Sequence, residues 1–133
     1  MPMANHVSGR QQDLDAYADL QWNLRLLMVY LILGWGLGGL VEELAYRGYL
    51  LTRIRDAVGR GRGPAVAAAV LGSSLVFGAA HTEQGLVGVV ILTLDGVFFC
   101  ALRYRFGSVW TSVLAHGLNN SLGFLTFFLV GPV

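Results

Sequence analysis

The chain has 133 residues, enough for one domain, of which 55% are hydrophobic and only 13% charged, with a mean hydropathy of +0.60. A soluble domain is typically about 45–50% apolar and about 25% charged, so composition alone points to a membrane protein. A net charge of +1 argues against a nucleic-acid partner, and Cys100, the single cysteine, excludes an intrachain disulfide.

Met1 to Asn23 is too polar for the apolar core of a secretory signal peptide. As far as about Asp19, with Asp13, Asp15 and Asp19 among apolar residues, it reads as a loose tail or a short surface helix. His6 there is expected to be a solvated histidine. The first apolar segment runs from about Leu24 to Leu51. It exceeds the roughly 20 residues that span a bilayer. Gly34 and Gly38, at the Gly-x-x-x-Gly spacing, would allow another helix to approach closely.

Thr52 to Gly63 reads as a loop rich in Arg and Gly. Pro64 then opens a second segment through Ala65–Ala80, a good first residue for a helix. Ser73 and Ser74 within it are expected to bond back to their helix or to a neighbour. His81-Thr82-Glu83-Gln84 is a polar break. The third segment runs from Gly85 to Leu102 and carries one acid, Asp95. Arg103 to Gly107 forms the next turn, and the fourth segment runs from Ser108 to Val130. Basic residues fall in the loops at 52–63 and 103–107 and are absent from 81–84, which predicts that the two basic loops are cytoplasmic. The expectation is an all-α, polytopic bundle of about four membrane helices around a central polar cavity. Residues 1–23 form the tail and residues 24–133 the transmembrane domain.

Within the first segment lies Glu42-Glu43-Leu44-Ala45-Tyr46-Arg47. A charge near the middle of a bilayer costs roughly 2.5–3.5 kcal/mol on insertion scales. Glu43 and Arg47, four apart, stack on one helical face with the acid N-terminal, as an ion pair prefers. Glu42 points about 100° away and is expected to be unpaired and dry. Desolvation raises a carboxyl pKa toward neutrality, which suits a general base. Phe77 and His81 are four apart on the second segment, as are His116 and Asn120 on the fourth. These polar groups can converge only by facing inward. Peptide hydrolysis would use such a set: Glu42 to deprotonate water, a histidine and Asn120 to receive the oxyanion, and a histidine or protonated Glu42 to supply the leaving amine. Phe77 would wall the site or contact an apolar substrate.

Glu-Glu-x-x-x-Arg, Phe-x-x-x-His and His-x-x-x-Asn, in that order on separate apolar segments, resemble the motifs of the CAAX-protease and bacteriocin-processing (CPBP/Abi) family of intramembrane proteases. The resemblance covers about residues 40 to 125. It implies a glutamate-dependent endopeptidase with Glu42 as base, His81 and His116 as polarising residues and Asn120 as oxyanion donor. The implied substrates are membrane-associated peptides, prenylated CAAX-type or bacteriocin-like, and the implied location is a bacterial or archaeal cytoplasmic membrane. Family members usually carry more membrane helices before the first motif. The chain is therefore a compact member, a bundle completed by a second copy or a partner subunit, or a truncated gene product.

No cofactor is expected. The competing metal reading would take Glu42, His81 and His116 as zinc ligands, since two histidines and a carboxylate suit catalytic zinc, but the sequence has no His-Glu-x-x-His. Two further readings compete with the protease. One is a non-catalytic membrane scaffold or immunity protein; the other is a proton or ion pathway that would include Asp95. One conflict of depth stands. Counted from Pro64 at 1.5 Å per residue, His81 lies about 25 Å along its helix, near the outer surface, whereas Glu42 looks mid-membrane.

Overall fold

Asn23 starts the first long helix by accepting a 3.1 Å hydrogen bond from the Leu26 N–H, as a good N-cap does. In the computed structural model, which describes residues 14–59 and 63–131, this helix, α1, is continuous over Leu24–Val58. Its middle is wound with i→i+5 bonds over Gly34–Glu42 and Leu44–Leu50. The Leu51 N–H, for example, reaches back to the Tyr46 carbonyl. Such π-turns are rare and concentrate at functional sites. Here they carry the acidic hexad.

The expected loop from Thr52 is helical as far as Val58. Leu51 is buried with Ala69 and Cys100, and Ile54 packs on that cluster. The last turns of α1 thus have an apolar face to bury, and Arg53 lies over the Tyr49 ring 5.1 Å away. Gly59 ends the helix with φ +126°, which a side chain rarely tolerates.

Pro64 opens α2 at its first turn, and α2 covers Pro64–Ala79. Small residues line its contact with α3, Gly85–Phe106. A Cβ on Gly96 would stand 3.0 Å from the Ser74 Cα, and one on Gly78 would strike Thr93. Ser73 bonds back to the Val70 carbonyl at 3.4 Å, as expected of a membrane serine. The helix α3 runs past the expected turn at Arg103 because Gly107, at φ +67°, supplies its C-terminal turn. Arg103 and Arg105 sit in that last helical turn, where cations suit the helix dipole. Ser108 caps α4, Val109–Val130.

Short connections set successive helices antiparallel, and α4 returns to pack on α1. Gly34, Gly38 and Gly39 permit that return. A Cβ on Gly34 would be 2.6 Å from the Phe124 ring, and one on Gly39 would be 3.4 Å from the Gly117 Cα. Gly36, outside the spacing, meets nothing.

Leu14–Leu20 forms a 3-10 helix. Leu20 is fully buried, and Tyr17 stacks on Phe127 at 4.8 Å and meets Tyr30 and Phe124. This segment packs against the N-terminal end of α1 and the C-terminal end of α4. Burial, with Tyr30 and Glu83 nearby, pushes the Tyr17 phenol above its ordinary range. His6 lies outside the described residues.

Among the described residues there is no strand. Helix α1, the stretch Thr82–Phe106 and α4 are each long and apolar enough to cross a membrane. At 16 residues, α2 spans about 24 Å, short of a hydrocarbon core of about 30 Å. Large apolar side chains such as Met28, Ile32, Leu75, Leu94, Leu118 and Leu122 face outward, while Glu43 and Arg47 are among the most buried residues. That inversion is what a lipid solvent selects.

The conflict of depth disappears in this arrangement. Since α1 continues to Val58, Glu42 and His81 each lie roughly four and a half turns from the α1–α2 connection. Two antiparallel helices place such residues side by side.

Candidate active site

Adjacent acids on α1 meet different surroundings. Glu43 turns into the bundle and is fully buried. Its Oε1 accepts a 2.8 Å bond from Arg47 Nη1 and lies 2.8 Å from His116 Nδ1. The expected ion pair at i, i+4 is therefore present, and it has a third member from α4. An ionised Glu43 only accepts, so Nδ1 of His116 carries the hydrogen and Nε2 is the ring's free end. That end faces Gly38: a Cβ there would be 3.7 Å from His116 Nε2 and 2.5 Å from Asn120 Nδ2. Gly38 thus allows both side chains of the α4 motif to lie against α1.

Aromatic rings enclose this cluster. The Arg47 guanidinium lies 4.3 Å from the Phe77 ring centre and 5.2 Å from that of Phe99. His116 stacks on Phe99, 4.9 Å between centres at 15°, and meets the edge of Phe77 at 90°. Tyr46 meets Phe77 edge-on. Cations over desolvated ring faces gain on the order of 2 kcal/mol, which offsets part of the cost of burying Arg47.

Glu42 points away from this cluster, toward His81. The expectation that it would be unpaired and dry is corrected. Its side chain is 32% exposed, and its Oε2 stands 3.9 Å from Nε2 of His81, which is 21% exposed. The dry acid is Glu43. His81 is held by a 2.8 Å contact of its Nδ1 with the Phe77 carbonyl. A carbonyl only accepts, so this contact places the hydrogen on Nδ1 and turns Nε2 toward Glu42. At 3.9 Å the two groups do not hydrogen-bond directly, and the gap suits a bridging water.

The residues singled out in sequence gather around Phe77 in two groups: Glu42 with His81, and Glu43 with Arg47 and His116. His116 meets Glu43, not Glu42. Asn120 stands one turn further along α4 and donates to the Gly34 carbonyl at 3.1 Å. Among the described residues no three of His, Cys, Asp and Glu are arranged to hold a metal ion.

Two contributors were missed by sequence reasoning. Phe99 carries no periodic signal within Phe98-Phe99, and its role appears only because α3 and α4 form a tight hairpin. Gly38 was legible as a packing residue, but not as the floor under His116 and Asn120.

A family model described as type II CAAX prenyl endopeptidase Rce1-like matches residues 24–122, a stretch that takes in all three motifs. No curated protein and no solved structure matches the chain. With the family model covering most of its length and three helices able to cross a bilayer, the chain is an integral membrane protein and belongs to the Rce1-like type II CAAX prenyl endopeptidase family, a family of membrane proteases.

Proposed function

We propose that the protein is an intramembrane endopeptidase that activates water between Glu42 and His81 and cleaves prenylated, CAAX-type peptides held at the membrane. The observation that carries this reading is the pair of acceptors, Glu42 Oε2 and His81 Nε2, 3.9 Å apart on a partly open face. A water within hydrogen-bond distance of both, about 2.8 Å, can donate one hydrogen to each. Glu42 takes a proton as that oxygen attacks the scissile carbonyl. The new oxyanion needs donors, and Asn120 Nδ2 becomes one if it leaves the Gly34 carbonyl. The C–N bond then breaks as Glu42 returns the proton to the amine nitrogen. Glu43, Arg47 and His116 act as a buried, charge-matched foundation that keeps α1 and α4 in register beneath the reacting groups.

The family description supports a prenylated peptide as substrate, and the apolar outer surface suits one that arrives through lipid. The reading is metal-independent. A zinc site would need Glu42, His81 and His116 to converge on one point, and among the described residues they are not gathered into a set of three that could hold a metal ion. The test is cleavage of a farnesylated CAAX peptide by the protein reconstituted in liposomes. Activity should vanish in E42Q and survive a strong zinc chelator. Cleavage by E42Q, or none by the parent protein, would sink the assignment. An E42Q chain as active in vivo as the parent would favour a scaffold.

A further inference from the structure

Asp95 is the one acid within the membrane-spanning part of α3, and the proposed chemistry does not use it. The contact between α3 and α4 fixes its position. Phe99 stacks on His116. Asp95 lies one helical turn before Phe99 on α3, and Asn120 lies one turn after His116 on α4. Because the two helices are antiparallel, Asp95 and Asn120 stand at the same level, on the side of His116 away from the α3–α4 turn. The electrostatic reach of Asp95 includes His116 and Arg47.

The three acids near the site differ in how they are satisfied. Glu43 has Arg47 and His116. Glu42 faces His81. Among the described residues, no donor bonds to Asp95. Arg47, the cation within reach, bonds Glu43 through Nη1 and lies over the Phe77 and Phe99 rings, and its buried Nε and Nη2 make no hydrogen bond to Asp95 or to any other described group. A carboxylate in a membrane span is expensive unless something matches it, and intramembrane acids of this kind mark substrate paths.

We propose that Asp95 is a substrate-binding carboxylate that takes a basic side chain of the peptide near the scissile bond. The proposal rests on the protease reading for its substrate. An unmatched carboxylate beside a desolvated aromatic wall prefers a cationic partner to a neutral one, and repels an acid. Selectivity by charge is then built into a site whose remaining walls are apolar.

The test separates binding from cleavage. Two farnesylated peptides, identical except for Lys or Glu beside the scissile bond, are titrated by fluorescence anisotropy against full-length E42Q in detergent. Residue 42 carries no charge in that variant, so a preference for Lys has to come from elsewhere. The Lys peptide should bind about tenfold or more tightly than the Glu peptide. In E42Q/D95N the preference should disappear, while E42Q/D95E should retain it. Equal binding of the two peptides by E42Q overturns the proposal, as does a preference that survives D95N. If the D95N chain does not fold, E42Q/D95S takes its place, with the same loss of preference expected. Loss of thermal stability in D95N with the preference intact would make Asp95 a structural counter-ion of Arg47, which also overturns it. Cleavage by the parent protein is scored separately, so failure of the protease reading and failure of the Asp95 assignment give different results.

Discussion

Glu42 and Glu43 are neighbours in the chain, yet the helix turns them toward different partners. Glu43 enters a dry cluster in which Arg47, His116 and two aromatic rings surround it. Glu42 looks out at His81 across a gap wide enough for water. The comparison teaches that a carboxylate in a membrane is kept for one of two reasons. Buried and paired through one oxygen with a cation and an imidazole, as Glu43 is, it holds helices together. Partly exposed beside a second acceptor, it is available to a reactant. The Phe77 ring touches members of both groups, and its carbonyl orients His81.

Breaking each side should give different phenotypes. The largest effect is expected at Glu42. E42Q keeps the shape and removes the base, so peptide cleavage should fall about 10²–10⁴-fold with little change in the melting temperature in detergent. A variant that melts early instead would move Glu42 to the structural side. On the buried side, R47A leaves Glu43 desolvated without its cation. Removing one partner of a buried pair costs about 3–5 kcal/mol, so R47A should lower expression and melting temperature sharply. Replacing Glu43 and Arg47 together by apolar residues should recover much of that stability. If R47A melts like the parent, the cluster is not what holds the helices.

The seam between the two sides is sharpened by G38A. The new Cβ would stand 2.5 Å from Asn120 Nδ2, which must then leave the Gly34 carbonyl. The expected cost is about 1–3 kcal/mol of overpacking. Catalysis should fall more than stability does if the added methyl also holds the Asn120 amide away from the oxyanion, which a kcat and KM measurement resolves. The smallest effect is far from both acids. Burial keeps the Tyr17 phenol protonated beyond its ordinary range. A group whose pKa is raised on folding stabilises fully below its unfolded value, about 10, and loses that contribution as pH climbs through the folded value. The Leu14–Leu20 cap should therefore loosen above about pH 10, and Y17F should remove this dependence in a hydrogen-exchange or proteolysis profile.

Much of the bundle was legible in the chain itself. Apolar runs flanked by arginines located four helices, because a membrane demands long uninterrupted hydrophobic stretches. Pro64 marked the start of α2 to the residue. The Gly34–Gly38 pair forecast the contact with α4, since small side chains at that spacing leave a groove on one face. The helix ends at Val58 and Phe106 were misjudged for one reason. Arginine-rich turns look like loops when counted by polarity, but Leu51 and Ile54 bury the opposite face of the turns before Val58, and Gly107 lets α3 run on to Phe106.

By itself the sequence determined the membrane setting, the helical class, the Glu43–Arg47 pair and the set of polar residues from which a site is drawn. All of these depend on composition or on spacing within one helix. The tertiary structure alone decided which acid is dry, that His116 serves Glu43 while His81 faces Glu42, and that Phe99 and Asp95 stand beside them. Those assignments depend on how far α1 continues before it turns and how α3 and α4 face each other. Both are set by packing between segments distant in the chain, where no local periodicity reaches.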